Sequence, residues 1–354
     1  MIVEQEAKKA IENFSMPDNI GFGKVLLPIM AISEFKDGKW SELVISPYKK
    51  LELDPTTKVL HYGQEIFEGM KAYNYKGQGP VLFRPIENFK RFNFSASRMA
   101  MPEVPEEIFM GAVHKITSLG EKFVPRRDGE SLYIRPFMIA TEKNLGIKPS
   151  EEFMFIVIAS PVGSYFSGGT IKVFIEEEMI RACKGGTGNA KTGGNYAGGL
   201  NAAIKTKEKG FDQTMWLSAE DKDSIEELSG MNFFCVIDDK LYTPELTDTI
   251  LNGITRKSII ELARHENIEV VEKRLSIKEL KGLIKEARCT EAFACGTAAI
   301  ITPIDSFHDE RGESFHLKSA HGPVARKLRN KLLGIQQLTE TDSFGWIEKI
   351  KETI

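Results

Sequence analysis

With 354 residues, of which 42% are hydrophobic, the chain is long enough to form two domains with cores of their own. Its formal net charge of -3, from 47 basic and 50 acidic residues, excludes the strongly basic surface typical of nucleic-acid-binding proteins. No apolar stretch reaches membrane-spanning length, so we expect a cytoplasmic protein. The four cysteines form no C-x-x-C pair and the six histidines show no metal-ligand spacing. We therefore expect no bound metal.

The first half of the chain combines predicted helices with predicted strands. The opening stretch, MIVEQEAKKAIENF, has the charged amphipathic pattern of a helix rather than that of a signal peptide. Apolar runs rich in branched and aromatic residues predict strands at residues 81–84, 131–140 and 153–161. Residues 105–124 have helical periodicity, with a proline and two glutamates at the start.

The second half again combines predicted strands and helices, and it follows a segment rich in glycine and serine at residues 162–169. Strands are predicted at residues 171–176 and 214–219, a hairpin at 231–244 with its turn at Asp238 and Asp239, and helices at 254–267 and 276–287. Ser276 and Glu279 have the spacing of a capping box. We therefore expect two α+β domains, residues 1–163 and 173–354, joined by a linker at 164–172.

The stretch GGTGNAKTGGNYAGGLN, residues 185–201, surrounds Lys191 with seven glycines. Its first part departs from the phosphate-binding P-loop signature only at Ala190, where that signature has glycine. A P-loop also needs a strand that leads directly into the glycines and a helix that begins at the lysine. Here mostly polar residues follow the predicted strand, and each of the four glycines after Thr192 disfavours a helix by about 1 kcal/mol relative to alanine. A nucleotide phosphate is therefore the less favoured partner of Lys191.

The alternative is that the amine of Lys191 does covalent chemistry. A lysine amine attacks a carbonyl carbon only when it is neutral, and burial disfavours the ammonium form. Glycines on both sides allow the backbone to approach a flat ring closely. A lone lysine is more often a solvated side chain, but a glycine-rich frame is an unusual place for one. The pattern favours a catalytic lysine.

Five motifs in a fixed order add a more specific indication. The stretches HYGQEIFEGMKAY, LYIRP, GGTGNAKTGGNYAGGLNA, IEELSGMNFF and ACGTAAIITPI resemble the branched-chain amino acid aminotransferases, and the resemblance extends from roughly residue 20 to the end. Members of this family are pyridoxal-phosphate enzymes of fold type IV, the two-domain α+β fold shared with D-amino acid aminotransferase. The resemblance implies a smaller N-terminal substrate-pocket domain, a larger C-terminal cofactor-binding domain and a cofactor in the cleft between them.

The resemblance assigns roles around the cofactor ring to three residues. Lys191 matches the Schiff-base lysine, which also moves the proton between the substrate Cα and the cofactor C4′. Tyr196 matches the tyrosine that donates to the ring O3′. Glu227 matches the carboxylate that keeps the pyridine nitrogen protonated, so that the ring can accept the electron pair left at Cα. From the residues alone, the neighbouring Glu226 is an alternative for that carboxylate.

The cofactor phosphate should be held by several donors from separate parts of the chain. The family positions match Arg91, Ile254, Thr255 and Thr297. Lys90 and Arg98 lie close enough to Arg91 to compete for its role. Ile254 and Thr255 stand where a loop enters a helix, so their backbone N–H groups can bind an anion without a cation.

The substrate pocket implied by the resemblance is aromatic, with one cation. Its side chains match Tyr62, Phe67, Tyr133, Arg135 and Tyr165, and the backbone N–H groups of Thr297 and Ala298 match the donors to the substrate α-carboxylate. Aromatic faces suit leucine, isoleucine and valine through apolar burial. Arg135 and the tyrosine hydroxyls suit the γ-carboxylate of glutamate, the other amino donor.

The resemblance thus predicts a homodimeric pyridoxal-phosphate transaminase that acts on leucine, isoleucine or valine and 2-oxoglutarate, with the partner's N-terminal domain closing each pocket. Three alternatives stay open. A D-amino acid transaminase or a lyase of the same fold would share Lys191 and Glu227. A nucleotide-binding protein would use Lys191 as a phosphate cation. A non-catalytic cofactor carrier would keep Lys191 without the pocket residues Tyr133 and Arg135.

Overall fold

The structure is a computed structural model that describes residues 1–163 and 169–350. Within these ranges the helices are α1 Gln5–Asn13, α2 Val59–Tyr62, α3 Pro85–Arg98, α4 Glu106–Leu119, α5 Gly193–Ala197, α6 Leu200–Glu208, α7 Ile254–His265, α8 Ile277–Lys285 and α9 Pro323–Gln336. Short 3₁₀ turns lie at Tyr75–Gly77 and Glu121–Phe123. None of the helices in the described ranges is both long and apolar enough to cross a membrane.

The strands of the first half are β1 Ile2–Val3, β2 Ile29–Lys36, β3 Lys39–Trp40, β4 Val44–Pro47, β5 Glu65–Phe67, β6 Met70–Tyr73, β7 Val81–Phe83, β8 Ser131–Ala140 and β9 Phe153–Val162. Those that follow are β10 Ile171–Glu176, β11 Gln213–Leu217, β12 Ile225–Leu228, β13 Asn232–Ile237, β14 Lys240–Thr243, β15 Val270–Glu272, β16 Cys289–Gly296, β17 Ile300–His308, β18 Ser314–His316 and β19 Ile347–Lys349. The strands and helices predicted from sequence are all present, with their ends shifted by a few residues.

The described chain divides into two compact units. Unit 1 comprises residues 1–163, 190–193 and 334–350, and unit 2 comprises residues 169–189 and 194–333. Unit 1 contains a sheet in the order β1-β4-β2-β9-β8-β6-β7-β19, with β3 on β2 and β5 on β8. Unit 2 contains a sheet in the order β12-β11-β10-β17-β16-β13-β14-β15, with β18 on β17.

The core of unit 1 lies between its sheet and the helices α3 and α4. The long central strands β8 and β9 pair antiparallel along their whole length, from Ser131 opposite Val162 to Ala140 opposite Phe153. Phe92 and Phe109 pack against each other with ring centroids 5.3 Å apart, and both contact Phe155 of β9 at 5.6 Å. All three rings are fully buried, so they anchor the helices to the sheet.

In unit 2 the capping box and the hairpin turn that the sequence predicts are both present. The side chain of Ser276 accepts a hydrogen bond from the backbone N–H of Glu279 at 3.1 Å and caps α8, a contact worth about 1 kcal/mol. Asp238 and Asp239 both have positive φ, as the tight turn between β13 and β14 requires. The apolar side of α8 (Ile277, Leu280 and Ile284) is buried in the unit 2 core.

The division of the chain differs from the expected domains in two places. Residues 190–193 and 334–350 belong to unit 1, although the sequence placed both segments in the C-terminal domain. Backbone and side-chain hydrogen bonds tie the first segment to β5 and α3, and β19 pairs antiparallel with β7, with Ile347 opposite Phe83. By this division unit 1, rather than the C-terminal unit, contains more residues.

Candidate active site

The segment around Lys191 is held on unit 1 by its backbone. The carbonyl of Lys191 accepts from the N–H of Phe67 at 3.0 Å, and its own N–H donates to Ser95 Oγ at 2.9 Å. The hydroxyl of Thr192 donates to the carbonyl of Glu65 at 2.8 Å, and the N–H of Gly193 donates to the Glu65 carboxylate. These hydrogen bonds to β5 and α3 therefore fix the backbone position of Lys191.

This segment lacks the architecture of a P-loop. The strand β10 ends at Glu176, and residues 177–190 separate it from Lys191. The sequence argument was that the glycines after Thr192 disfavour a helix, and the helix that forms there, α5, begins at Gly193. However, α5 is only five residues long and ends before Gly198, where two further glycines follow. A helix this short does not provide the phosphate-binding terminus of a P-loop.

Three of the predicted pocket side chains form a chain of contacts that reaches the amine of Lys191 within unit 1. The Lys191 Nζ lies 4.8 Å from the centroid of the Phe67 ring, and the Arg135 guanidinium also lies 4.8 Å from that centroid. Arg135 Nη2 donates to the hydroxyl of Tyr133 at 3.0 Å. Tyr133 and Arg135 are two residues apart on β8 and so project from the same side of the sheet.

Two residues that sequence reasoning missed complete the surroundings of Tyr133. The ring of Phe22 lies 5.2 Å from the Tyr133 ring and is 39% exposed. A Cβ atom on Gly69 would lie 2.1 Å from the Tyr133 hydroxyl oxygen, so only glycine leaves room for this ring. The signal for Gly69 was present in the motif HYGQEIFEGMKAY, whereas no local pattern marks Phe22.

Two other predicted pocket residues are not brought to this cluster by any described contact. Tyr62 is 43% exposed on α2, and its hydroxyl donates to the carbonyl of Leu145. Tyr165 lies outside the described residues. Their assignment to the substrate pocket stays a prediction.

Arg91 forms a buried ion pair that the sequence did not reveal. Its Nε and Nη2 atoms donate to the two carboxylate oxygens of Glu68 at 2.6 and 2.9 Å, and the Glu68 side chain is fully buried. Burial raises the pKa of the Glu68 carboxyl, but the Arg91 guanidinium, and more weakly the Lys191 amine, hold that pKa below its ordinary value. By contrast, Lys90 is 65% exposed and pairs with Glu87, so Arg91 is the cation with the fixed orientation.

In unit 2 the consecutive residues Glu226 and Glu227 lie on β12, where neighbouring side chains point to opposite sides of the strand. Glu227 Oε1 lies 3.1 Å from Arg181 Nε, and Glu227 Oε2 accepts from the amide of Asn232 at 3.1 Å. Burial raises the pKa of the Glu226 carboxyl, and its Oε2 has no hydrogen-bond partner in the described structure. Of the two, only Glu227 is in direct contact with a cation, Arg181.

Arg181 and Asn232 hold Glu227 in place, and sequence reasoning missed both. Arg181 Nη2 donates to the carbonyls of Gly188, at 3.3 Å, and Thr249. The amide of Asn232 also donates to the carbonyl of Leu251 at 3.0 Å, and its oxygen lies so close to Gly253 that a Cβ there would come within 2.0 Å. The available signal for Asn232 was its position inside the motif IEELSGMNFF.

The helix α7 presents an N-terminus of the expected kind. Ile254 and Thr255 are its first two residues, both are buried, and the preceding Gly253 provides no side-chain cap. The first N–H groups of a helix have no intrahelical acceptor and carry partial positive charge. These residues can therefore donate to an anion, as the sequence predicts.

The remaining predicted residues of unit 2 lie in turns and on its surface. Thr297 and Ala298 are half-buried in the turn between β16 and β17. The Tyr196 ring is 37% exposed and lies 3.7 Å from where a Cβ on Gly230 would be. Burial raises the pKa of the Cys295 thiol next to the turn, which disfavours its thiolate form.

Comparison with known proteins identifies the family. The family model of class IV amino-transferases matches residues 65–307. The branched-chain-amino-acid aminotransferase of Mycolicibacterium smegmatis is 43% identical over 340 residues, covering 94% of this chain and 92% of that protein. The branched-chain-amino-acid transaminase 1 of Bacillus subtilis is 39% identical over 353 residues, covering 99% of each chain. The chain belongs to the class IV aminotransferases.

A solved structure agrees with this family at the level of the fold. The branched-chain amino acid aminotransferase from Escherichia coli superposes on this class IV aminotransferase with a TM-score of 0.72 at 28% identity. The match covers 91% of this chain and 99% of the solved chain. The predicted fold type IV architecture is thereby confirmed.

The described residues contain no cluster of His, Cys, Asp and Glu that could hold a metal ion.

Proposed function

We propose that this chain is a pyridoxal-phosphate-dependent transaminase that transfers the amino group between leucine, isoleucine or valine and 2-oxoglutarate. The observation that carries the proposal is the chain of contacts that runs from the Lys191 amine to Phe67, from Phe67 to Arg135 and from Arg135 to Tyr133. It offers aromatic surface for a branched side chain and a cation for a carboxylate next to a potential nucleophile. The relatives from M. smegmatis and B. subtilis, which are named for this activity, support it over almost the whole chain.

The donor set of the chain fits pyridoxal phosphate. When bound, this cofactor supplies an aldehyde carbon and an electron-withdrawing ring that makes the substrate Cα proton acidic. Glu227 would face the pyridine nitrogen, because the guanidinium of Arg181 and the amide of Asn232 contact its carboxylate and orient it. The tyrosine hydroxyl of Tyr196 would donate to the ring oxygen.

The phosphate would be held by Arg91, Thr297 and the N-terminus of α7, where Ile254 and Thr255 offer backbone N–H groups. The pairing of Arg91 with Glu68 is compatible with this role, since a guanidinium has five N–H donors and Glu68 engages two of its nitrogens. The buried carboxylate fixes the plane of the guanidinium and partly offsets its charge.

Lys191 would have two roles, one as the covalent anchor of the cofactor and one as the group that transfers the proton. Its Nζ would hold the cofactor through the aldehyde carbon, and the same nitrogen would take up and return the substrate Cα proton. The N–H groups of Thr297 and Ala298 would bind the substrate α-carboxylate. Phe67 and Tyr133 would cover the branched side chain, and Arg135 would bind the γ-carboxylate of glutamate in the other half-reaction.

We further propose that the enzyme is a homodimer. Leu60, Tyr62, Leu145 and Ile147 form an apolar surface on unit 1, with exposed fractions of 57%, 43%, 56% and 91%. The hydrogen bond from Tyr62 to the carbonyl of Leu145 joins the two segments that carry them. Contiguous exposed apolar surface of this kind is typical of an interface between chains.

The test adds leucine to the purified holoprotein and follows the cofactor absorbance. The band of the lysine-bound cofactor should disappear and return when 2-oxoglutarate is added. Lys191→Ala should abolish the cycle, whereas Lys184→Ala, which removes a lysine that is 77% exposed next to the same glycine-rich stretch, should leave it intact. Transfer at the normal rate by Lys191→Ala, or a borohydride-trapped label on another residue, would refute the assignment. Faster turnover of D-alanine than of leucine would identify a D-amino acid transaminase instead.

A further inference from the structure

The acidic residue Glu65 lies on the same side of the unit 1 sheet as the proposed substrate-pocket residues. The strand β5 pairs antiparallel with β8, and Glu65 stands opposite Ile139. Because side chains alternate along a strand, Glu65 projects from the side of the sheet that carries Ile139, Arg135 and Tyr133. Phe67, two residues further along β5, projects from this side as well. The proposed transamination gives Glu65 no role.

The Glu65 carboxylate has a fixed position because the segment that carries Lys191 donates hydrogen bonds to it. Its Oε1 atom accepts from the backbone N–H of Gly193, and the hydroxyl of Thr192 lies 3.4 Å from the same oxygen. A Cβ atom on Gly193 would lie 2.3 Å from this oxygen, so only glycine allows so close an approach. Moving the carboxylate away would break these hydrogen bonds and leave the N–H of Gly193 without this acceptor.

The charges of Glu65 and Arg135 influence each other. Burial raises the pKa of the Glu65 carboxyl, and the Gly193 N–H, the Thr192 hydroxyl and the Arg135 guanidinium all oppose this rise. The carboxylate and the guanidinium form no direct ion pair among the contacts of the described residues. Their attraction therefore acts at a distance, and the guanidinium keeps donors with which it can bind a substrate carboxylate.

Arg135 faces two different demands in the proposed reaction. With glutamate or 2-oxoglutarate in the pocket, its charge attracts the γ-carboxylate, whereas with leucine the same charge lies beside an apolar side chain. The rings of Phe67 and Tyr133, with centroids 4.8 and 5.4 Å from the guanidinium, carry no net charge. A carboxylate held nearby makes the second situation less costly and the first less favourable.

We propose that Glu65 is a specificity-determining residue that acts through Arg135. Its fixed carboxylate partly offsets the charge of Arg135, which favours an apolar side chain in the pocket and weakens the binding of a dicarboxylate. The hydrogen bonds from the Lys191 segment keep the carboxylate at its distance from the guanidinium. This inference rests on the proposed transaminase function and adds to it a residue that balances the affinities for the two kinds of substrate.

Binding of two unreactive acids to the holoenzyme tests the proposal without turnover. Glutarate has a second carboxylate, and 4-methylpentanoate has a branched apolar end instead. Titration calorimetry at pH 8 should give a Kd for glutarate about three- to tenfold lower in Glu65→Gln than in the wild type, because the charge of Arg135 is no longer offset. The Kd for 4-methylpentanoate should change by less than about twofold. Glutamine keeps an oxygen that can accept from the N–H of Gly193.

A double-mutant cycle shows whether Glu65 acts through Arg135. Arg135→Gln should raise the Kd for glutarate, and in that background Glu65→Gln should change this Kd by less than about twofold. Glu34→Gln is the matched control, because it removes an exposed carboxylate from β2 of the same sheet. It should leave the Kd values of both acids unchanged.

The other outcomes would overturn the proposal. Glutarate that binds to neither form, an unchanged or higher Kd in Glu65→Gln, or an equal gain for 4-methylpentanoate would each do so. A full effect that persists in the Arg135→Gln background would show direct repulsion of the ligand by Glu65. Weaker binding of both acids together with a lower melting temperature would show that Glu65 only supports the Lys191 segment. The transaminase proposal fails separately, when the wild type transfers no amino group from leucine, and the binding comparison can be made in either case.

Discussion

Glu226 and Glu227 are consecutive glutamates on β12, and both are buried, with 4% exposure each. Their surroundings differ because neighbouring strand residues point to opposite sides. Glu227 contacts the guanidinium of Arg181, whereas Glu226 has no cation in direct contact among the described residues and its pKa is raised by burial. The two carboxylates thus differ in their contacts because of the side of the strand on which they lie, although their residue type is the same.

This difference predicts the effect of removing each charge. If Glu227 has the proposed role opposite the pyridine nitrogen, Glu227→Gln should retain the cofactor but lower kcat by about 10²-fold or more, because that fixed charge is lost. Glu226→Gln should keep kcat within a few-fold, since no cation contacts this carboxyl directly and its pKa is raised by burial. Steady-state kinetics with leucine and 2-oxoglutarate, together with cofactor content from absorbance, measures both. A normal kcat in Glu227→Gln with a large loss in Glu226→Gln would reverse the assignment.

The buried pair of Glu68 and Arg91 gives a prediction for stability and pH. Glu68→Gln should lower the free energy of unfolding at pH 7 by about 3–5 kcal/mol, because it leaves the Arg91 charge buried without its partner. Since the folded-state pKa of Glu68 is held below its ordinary value of 4.5, the wild-type advantage is complete above that pH and is lost as the pH falls through the folded-state pKa.

Urea denaturation at pH 7 and at more acidic pH values measures this effect. The difference in unfolding free energy between wild type and Glu68→Gln should shrink as the pH falls. Lys90→Gln, which removes the exposed partner of Glu87 on the same helix, should cost less than about 1 kcal/mol at either pH. A Glu68→Gln variant as stable as the wild type at pH 7 would contradict the prediction.

At the scale of elements, the long strands and amphipathic helices follow from local pattern, and the short ones do not. The strands β8 and β9 and the helices α4, α7 and α8 were predicted because their periodicity extends over many residues. The strand β12 was missed as an element, since its four residues include two glutamates and it is recognisable only from its pairing with β11. The helix α5 formed despite its glycines because tertiary contacts outweigh intrinsic propensity.

The packing of Gly69 against β8 gives a prediction at this scale. Gly69→Ala should displace Tyr133, since the added Cβ would lie 2.1 Å from its hydroxyl oxygen, and should break the hydrogen bond from Arg135. We expect KM for leucine and glutamate to rise several-fold while the fold is kept. Gly111→Ala in the middle of α4 is the control, because the nearest side chain is 3.6 Å away and the helix should gain about 0.5–1 kcal/mol. An unchanged KM in Gly69→Ala would show that Tyr133 does not line the substrate pocket.

At the scale of the whole molecule, segments distant in sequence belong to one unit. The last strand, β19, extends the unit 1 sheet, and Trp346 packs on Phe83 with ring centroids 5.6 Å apart. The segment of residues 190–193 also belongs to unit 1, which puts Lys191 in the same unit as its predicted substrate-pocket neighbours. The two units therefore cannot be obtained by cutting the chain once at the predicted linker, because unit 1 includes segments from both sides of it.

The proposed homodimer gives a prediction for the assembled protein. Ile147→Glu places a charge in the most exposed residue of the apolar surface, so it should shift the enzyme from dimer to monomer. Multi-angle light scattering after gel filtration measures the mass. Ile204→Glu, the same substitution at an exposed isoleucine of α6 in unit 2, should leave the dimer intact. A dimeric Ile147→Glu variant would place the interface elsewhere, and a monomeric wild type would refute the dimer.

The sequence by itself determined the family, the fold class, the catalytic lysine as a hypothesis and most of the long elements. These features are encoded in contiguous residues, as motifs or as periodic patterns, so they can be read without knowledge of distant contacts. Only the tertiary structure decided which of two adjacent glutamates directly contacts a cation, that Glu68 engages Arg91, and that residues 190–193 belong to unit 1. Such pairings join residues far apart in the chain, and their energies depend on burial and geometry that no local pattern carries.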